Sequence, residues 1–192
     1  EKLTGTMSIG GGYSSVDGLI GNAELTQGNL GGRGQLIKFK TQFGGTRKTF
    51  VFSFMEPYLF DKPVWGKVDL YNQTQEYDQY WIKSNGFSLG MGKSYGEYVS
   101  ASLKYGIDRS EVTHYSDINA LPLLTQNQIN QYGPSLTTSS MTASIARDSR
   151  DYFLDPKTGS RNSMYIEYAG GPLGGDSSFI KAVADSGWYF PL

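Results

Sequence analysis

The chain has 192 residues, with 17 basic and 18 acidic side chains, a formal net charge of −1 and no cysteine. The balanced charge gives no indication of nucleic-acid binding. The lack of cysteine excludes disulfides, thiol catalysis and zinc sites built on thiolates, and a single histidine leaves little for a transition-metal site. No segment approaches the ~20 apolar residues of a membrane-spanning helix, and the mean hydropathy is −0.40.

The composition favours an all-β protein. Aromatic residues make up 14% of the chain and there are 25 glycines, a combination typical of strands and tight turns. The sequence starts at Glu1 without a basic region followed by an apolar stretch, so we expect no signal peptide in it. We therefore expect a piece of a longer protein.

The dominant pattern along the chain is a strict alternation of apolar and polar residues. In the first predicted strand Met7, Ile9 and Tyr13 share one face, because successive side chains of a strand point to opposite sides. Thr6 and Ser8 share the other face with two glycines. The same alternation predicts nine further strands, near residues 19–26, 37–43, 49–54, 64–73, 86–92, 99–108, 138–145, 160–169 and 178–190.

No segment has a helical period. The polar stretch at residues 113–133 is predicted to be a long surface loop, and Gly, Asn, Asp or Pro separate most of the predicted strands. The sequence therefore predicts an antiparallel meander of about ten strands.

Two architectures fit that meander, a soluble β-sandwich and an outer-membrane β-barrel. The polar faces are rich in Gly, Ser and Thr rather than in charged residues, which favours a barrel with a polar lumen. Aromatic residues also gather near predicted strand ends, as in an interfacial girdle. These residues are Tyr13, Tyr58, Phe60, Tyr80, Trp81 and Trp188.

Two clusters of titratable residues invite a catalytic or metal-binding interpretation. His114 has Asp108, Glu111 and Asp117 nearby in sequence, but a solvated loop histidine is the simpler interpretation. Residues 147–161 hold acidic side chains at a spacing similar to that of calcium loops, but they lack the glycine of such loops. The acids are Asp148, Asp151 and Asp155, and the interspersed cations are Arg147, Arg150 and Lys157.

No other motif supports catalysis. Residues 10–12 are three glycines, but no lysine and no predicted helix follow them, as a phosphate-binding loop would require. The sequence also lacks the Gly-x-Ser-x-Gly motif of serine hydrolases. We therefore expect no enzyme activity and no cofactor.

Five blocks of sequence resemble the BamA family of bacterial outer-membrane assembly factors, part of a superfamily of outer-membrane insertases and translocases. Three blocks resemble the opening strands of that barrel, and two resemble a later strand connection and the end of the tenth strand. In order they are TGTMSIGGGYSS (4–15), ELTQGNLGGRGQ (24–35), FSFMEPYLFDKP (52–63), RDSRDYFLDPKTGSR (147–161) and GWYFPL (187–192).

The resemblance implies a transmembrane barrel of sixteen antiparallel strands preceded by periplasmic domains. Residues 1–192 would supply strands one to ten, so the periplasmic domains, the closing strands and the family's Arg-Gly-Phe loop motif are expected to lie outside this sequence. Its first and tenth strands would then have open edges. We expect such a chain to pair these edges with a second copy or to refold as a sandwich-like body.

The resemblance further implies a function in the bacterial outer membrane, namely folding and inserting β-barrel proteins without nucleotide hydrolysis. Outer-membrane lipid, unfolded β-barrel substrates and assembly-complex lipoproteins are the implied partners. A weakly paired first strand could act as a lateral gate and template an incoming strand by β-augmentation. The gate residues are Gly5, Thr6, Met7, Ser8, Ile9, Gly10, Gly11, Gly12 and Tyr13.

Alternatives remain at this point. The glycines at residues 10–12 could simply relieve crowding in the barrel wall. A protein-secreting translocase of the same superfamily, a passive porin-like channel and a soluble sandwich binding module are the other candidate functions.

Overall fold

The computed structural model describes residues 4–15 and 18–191. Two parts of the sequence predictions lie outside these ranges. They are residues 1–3, on which the expectation of no signal peptide partly rests, and Leu192, the last residue of the block GWYFPL. Ten strands follow one another within the described residues, which agrees with the predicted number and order. They are β1 (Gly5–Ser14), β2 (Gly18–Leu30), β3 (Gln35–Phe43), β4 (Arg47–Glu56), β5 (Trp65–Glu76), β6 (Trp81–Tyr95), β7 (Val99–Thr113), β8 (Ser135–Asp148), β9 (Gly159–Ala169) and β10 (Phe179–Tyr189).

The strands form one antiparallel sheet in which each strand pairs with its neighbours in the chain. The register is continuous over most of the sheet, and one irregularity occurs between β2 and β3 at Gln27 and Leu30. Within the described residues β1 and β10 each have a single partner strand. A sandwich requires two packed sheets, so the expected sandwich-like refolding is wrong for this structure.

One face of the sheet is apolar and uncovered. A single cross-strand row on this face joins Met7, Leu25, Phe39, Phe52 and Leu70, all of them exposed. A soluble domain would bury such a row in a core. We call this side the outward face, and its exposure agrees with a barrel wall that meets lipid rather than with a soluble sandwich.

Few apolar side chains are buried. Among the described residues only Val112, Leu121 and Ala169 are classed as buried and hydrophobic. Burial of apolar surface within the chain therefore contributes little to this fold, and backbone pairing between strands dominates it.

The opposite, inward face is held together by polar contacts between strands. The Ser53 hydroxyl donates to Asp69 at 2.5 Å, and Lys67 forms an ion pair with the same carboxylate at 2.8 Å. Lys38 on β3 and Glu24 on β2 form a further ion pair at 2.8 Å. These contacts satisfy polar groups on a face that would line a lumen.

Two aromatic side chains of β5 lie across glycines of β6 on this inward face. A Cβ placed on Gly86 would meet the Tyr71 ring at 2.1 Å, and one on Gly92 would meet Trp65 at 2.5 Å. The Tyr71 hydroxyl reaches over Gly86 and donates to Asp108 on β7 at 2.5 Å. Glycine is required at residue 86 because the tyrosine ring occupies the space of a side chain.

The connections lie alternately at two rims of the sheet. We call the rim that carries the odd-numbered hairpins, from β1–β2 to β9–β10, the helix rim, and the other the terminal rim, because β1 starts there and β10 ends there. The longest connection, residues 114–134, is at the helix rim.

The predicted long connection is present, and it contains a 3₁₀ turn (Ile118–Ala120) and helix α1 (Leu123–Tyr132), which the sequence did not predict. Pro122 precedes the helix, and Gly133 ends it at a φ of 81°, a conformation that favours glycine. No helix among the described residues has the length and apolar character needed to cross a bilayer.

Candidate functional site

The residues predicted as a lateral gate, Gly5 to Tyr13, all lie on edge strand β1. Ten residue pairs join β1 to β2, from Gly5 opposite Gln27 to Ser14 opposite Gly18. On the outward face Met7, Ile9 and Tyr13 are 69%, 72% and 78% exposed. The structure therefore brings the predicted residues together as one strand with an open side.

The register identifies which main-chain groups of β1 are free. The Gly28 N–H donates to the Thr4 carbonyl at 2.8 Å, which makes that pair a hydrogen-bonded one. Hydrogen-bonded and non-hydrogen-bonded pairs alternate along an antiparallel ladder. The even-numbered residues of β1 therefore bond to β2, and the N–H and C=O groups of the odd-numbered residues point to the open side. The odd-numbered residues are Gly5, Met7, Ile9, Gly11 and Tyr13.

The start of β1 is further attached to β2 by side chains. The Gln27 amide donates to the Thr4 hydroxyl at 2.6 Å. This contact lies at the terminal rim, so the strand is fastened where the chain enters it. Sequence reasoning missed this attachment, because its signal depends on the pairing of residues 23 positions apart.

None of the glycines at residues 10–12 is required by backbone geometry, and two of the three are not required by crowding in this sheet. None of Gly10, Gly11 and Gly12 has a positive φ. A Cβ on Gly12 would meet nothing within 4 Å, and one on Gly11 would make an ordinary contact of 3.6 Å. A Cβ on Gly10 would stand 2.6 Å from the Asn22 side-chain oxygen, so that flexible side chain would have to shift. Relief of crowding against β2 therefore does not explain three consecutive glycines.

The edge presented by β1 lacks the usual protection of edge strands. Soluble proteins protect such edges with charges, prolines or bulges. β1 has no charged residue and no proline, and its register with β2 is unbroken. The other edge strand, β10, carries Lys181 and Asp185, and Pro191 follows it. β1 is the less protected of the two open edges.

The sequence cluster around His114 does not form a catalytic site. His114 is exposed, its ring stacks on Trp81 with centroids 4.0 Å apart, and its Nδ1 lies 3.1 Å from the Thr113 hydroxyl. Asp108 instead accepts from Tyr71 on the inward face. Within residues 4–15 and 18–191 no group of three or more His, Asp and Glu residues could hold a metal ion.

The acidic residues of the β8–β9 connection organise the loop. Asp148 forms an ion pair with Arg150 at 2.6 Å. The Asp151 carboxylate accepts main-chain N–H groups of Thr158, Lys157 and Tyr152, at 3.1, 2.9 and 3.0 Å. These hydrogen bonds hold the pKa of Asp151 below its ordinary value. The hydrogen bond from the Thr158 N–H contributes most to this lowering. The Asp151 carboxylate therefore stabilises a turn of this loop, where main-chain N–H groups take the place that a cation would have in a calcium site.

The aromatic residues predicted as a girdle lie at both rims. Tyr13 and Trp81 stand at strand ends of the helix rim, and Tyr80 directly precedes β6 there. Tyr58 and Phe60 lie in the β4–β5 connection at the terminal rim, where Trp188 also lies near the end of β10.

Comparison with known proteins gives the family. Residues 29–192 match the model of the Omp85 superfamily domain, which is most of the chain. The chain belongs to the Omp85 superfamily. This match confirms the superfamily that the sequence resemblance indicated.

A curated relative and a solved structure of Omp85 proteins agree with this assignment. Over 192 residues the chain is 27% identical to the outer membrane protein assembly factor BamA of Nitratidesulfovibrio vulgaris. The match covers 100% of this chain and only 24% of the length of that protein. The crystal structure of BamA from Haemophilus ducreyi lacking POTRA domains 1–3 shares the fold, with a TM-score of 0.76 and 18% identity. That match covers 95% of this chain and 36% of the other.

Together, the family and the fold indicate a protein of the bacterial outer membrane whose ten strands correspond to part of a BamA barrel. The sequence-based predictions of an all-β meander, of a partial transmembrane barrel and of outer-membrane location are confirmed.

Proposed function

We propose that this Omp85 chain is part of an outer-membrane insertase that folds and inserts β-barrel proteins, with β1 as lateral gate and template. Residues 1–192 act as the first part of a larger barrel domain, and the mechanism is non-enzymatic. Its partners are outer-membrane lipid, unfolded β-barrel substrates and the lipoproteins of an assembly complex. The relative from N. vulgaris, which is named as an assembly factor, supports this function.

The observation that carries the proposal is the unprotected open side of β1. An extended substrate strand can hydrogen-bond to the free main-chain groups of its odd-numbered residues by β-augmentation. Main-chain bonds give affinity without demanding a particular substrate sequence. The glycines of β1 also favour pairing with a substrate strand. A strand with few side chains packs weakly against the strand that closes the barrel, so the two separate readily.

Crosslinking in the full-length protein tests the template directly. The chain has no native cysteine, so a Ser8→Cys substitution introduces a single thiol in it on the inward face of β1. A stalled barrel substrate carries a second cysteine in its terminal strand. If the substrate strand pairs with β1, residue 8 falls in a non-hydrogen-bonded pair, where Cα atoms lie ~4.5 Å apart, and a disulfide should form.

Ser163→Cys is the matched control, because Ser163 also faces inward but lies on β9, which has a partner strand on both sides. A disulfide at residue 8 and none at residue 163 supports the template. Equal yields at both residues, or none at residue 8, would refute it.

A second test concerns the glycines. Gly12→Val places its Cβ where no other atom lies within 4 Å, so we expect it to leave β1–β2 pairing intact and to strengthen contacts with the strand that closes the barrel. We expect Gly12→Val, alone or with Gly10→Val, to slow insertion of a model barrel substrate. Unchanged insertion rates would contradict a weak seam.

A further inference from the structure

A groove of about 510 Å³ lies on the outward face of β4, β5 and β6. Leu70 on β5 occupies its centre, directly between Phe52 on β4 and Phe87 on β6 in the register. Phe39, Phe50 and Ile107 also line it. It is a shallow depression, widely open to the surroundings, and its mostly apolar lining suits a hydrocarbon chain that lies against the sheet.

The groove has a polar end, on the side of the helix rim. Asn72 and Asn85 both line it there and form a side-chain hydrogen bond of 2.5 Å with each other. Arg109 stands opposite Asn85 on the same face. At the other end the next outward residues, Val68 and Leu89, are apolar. The groove is therefore amphipathic along its length.

The next cross-strand row of the outward face, on the side of the helix rim, contains two lysines. The cross-strand order on the outward face is Lys48, Thr74, Lys83 and Glu111. No ion pair involves either lysine in the part of the chain that the structure describes, even though Glu111 is the direct neighbour of Lys83. Arg109, whose Nε donates to the Ser135 hydroxyl at 3.0 Å, lies in the row of the asparagine pair. The two rows beside the polar end of the groove thus carry three cations and one carboxylate, which makes this region complementary to an anionic group.

The position of this row indicates which leaflet it meets. Outer-membrane barrels have short periplasmic turns and longer extracellular loops. The longest connection, residues 114–134, lies at the helix rim, so the lysines face the outer leaflet. In bacterial outer membranes that leaflet consists largely of lipid A, an acylated glucosamine disaccharide that bears phosphates.

We propose that the groove binds one acyl chain of lipid A while Lys48, Lys83 and Arg109 bind its phosphate. Phosphate suits these side chains because ammonium and guanidinium groups donate charge-assisted hydrogen bonds to it. Such a site anchors strands β4 to β6, which lie three to five strands from edge strand β1, to a defined lipid. It goes beyond the insertion function, because it concerns a part of the sheet that does not contact the gate.

Native mass spectrometry of the full chain, extracted from its own outer membrane in mild detergent, tests the site. The measured quantity is the fraction of protein that retains lipid A. Lys48→Ala combined with Lys83→Ala should lower this fraction by about tenfold, since each cation near the membrane surface contributes separately to anion binding. Lys93→Ala is the matched control, because Lys93 is an outward lysine of β6 at the terminal rim.

Leu70→Trp separates the groove from the charges. It fills the apolar part, leaves all three cations in place, and should also lower lipid A retention. Heat-modifiable migration in gels confirms that each variant is folded. Unchanged retention in the double lysine variant or in Leu70→Trp, an equal loss in Lys93→Ala, or an equal loss of co-purified phospholipid would each overturn the proposal.

Discussion

Gly86 is the position where a single methyl group should be most damaging, because the Tyr71 ring lies across it. An alanine Cβ would stand 2.1 Å from the ring carbon Cζ and 2.3 Å from the hydroxyl oxygen. The contact is with the body of a ring that is held at its far end, since the hydroxyl bonds to Asp108. Gly86→Ala must therefore move the ring and break that hydrogen bond.

The expected cost follows from three contributions. A lost hydrogen bond to a charged group costs about 1.5–3 kcal/mol. Overpacking costs about 1–3 kcal/mol, and replacing a strand glycine with alanine returns about 0.5–1 kcal/mol. The free energy of unfolding should fall by about 2–5 kcal/mol.

Urea unfolding of the full-length protein in lipid vesicles, followed by tryptophan fluorescence, measures this change. Gly106→Ala is the matched control, because Gly106 lies on the neighbouring strand opposite Ser88 and its Cβ would meet only ordinary contacts of 3.8 Å or more. That variant should stay within about 0.5 kcal/mol of the parent.

A double-mutant cycle identifies the cause. In a Tyr71→Ala background the space above Gly86 is empty, so Gly86→Ala should cost nothing further. If Gly86→Ala is as stable as the parent, or equally destabilising with and without the tyrosine ring, the reasoning is refuted.

Two further predictions concern the β8–β9 loop and the open edge. A lowered pKa of Asp151 means that its contribution to loop stability is present above the ordinary carboxyl pKa and is lost as pH falls through the folded pKa. The protection of the Lys157 and Thr158 amides against hydrogen exchange, expressed relative to the intrinsic rate at each pH, should therefore fall in acid. Asp151→Ala should show low protection already at neutral pH, and high protection in that variant would contradict this role. If the 192-residue chain refolded in micelles self-associates through β1, Gly11→Pro should reduce its dimer fraction in light scattering, because residue 11 points its N–H to the open side. An undiminished dimer fraction would exclude this edge.

Much of the fold could be predicted because alternation reports directly which face a side chain occupies. The spacing of Met7, Ile9 and Tyr13 places them on one face, and the structure exposes all three on the outward face. Glycine and proline marked the ends: β4 stops at Glu56, just before Pro57, and β9 starts at Gly159.

Helix α1 was missed because its residues, LLTQNQINQY, are mostly polar and give no amphipathic period. The flanking Pro122 and Gly133 were the available signal, since proline suits a helix start and glycine a helix end.

The contacts of the inward face could not be predicted either. Tyr71 meets Gly86 and Asp108 only because the registers of β5–β6 and β6–β7 align them. The free groups of β1 likewise follow from the alignment of Thr4 with Gly28. Composition and spacing carry no information on such alignments between strands. The alignments, however, decide where a candidate site lies.

The odd-numbered residues of β1 combine two properties: their main-chain groups are free, and their side chains face outward. A strand that pairs with them must place its own bonding residues on the same face, because directly opposite residues share a face. A slip of one residue would turn its apolar side chains to the lumen. If β1 templates a substrate strand, as proposed, the edge would therefore admit alternating sequences in only one of the two possible registers.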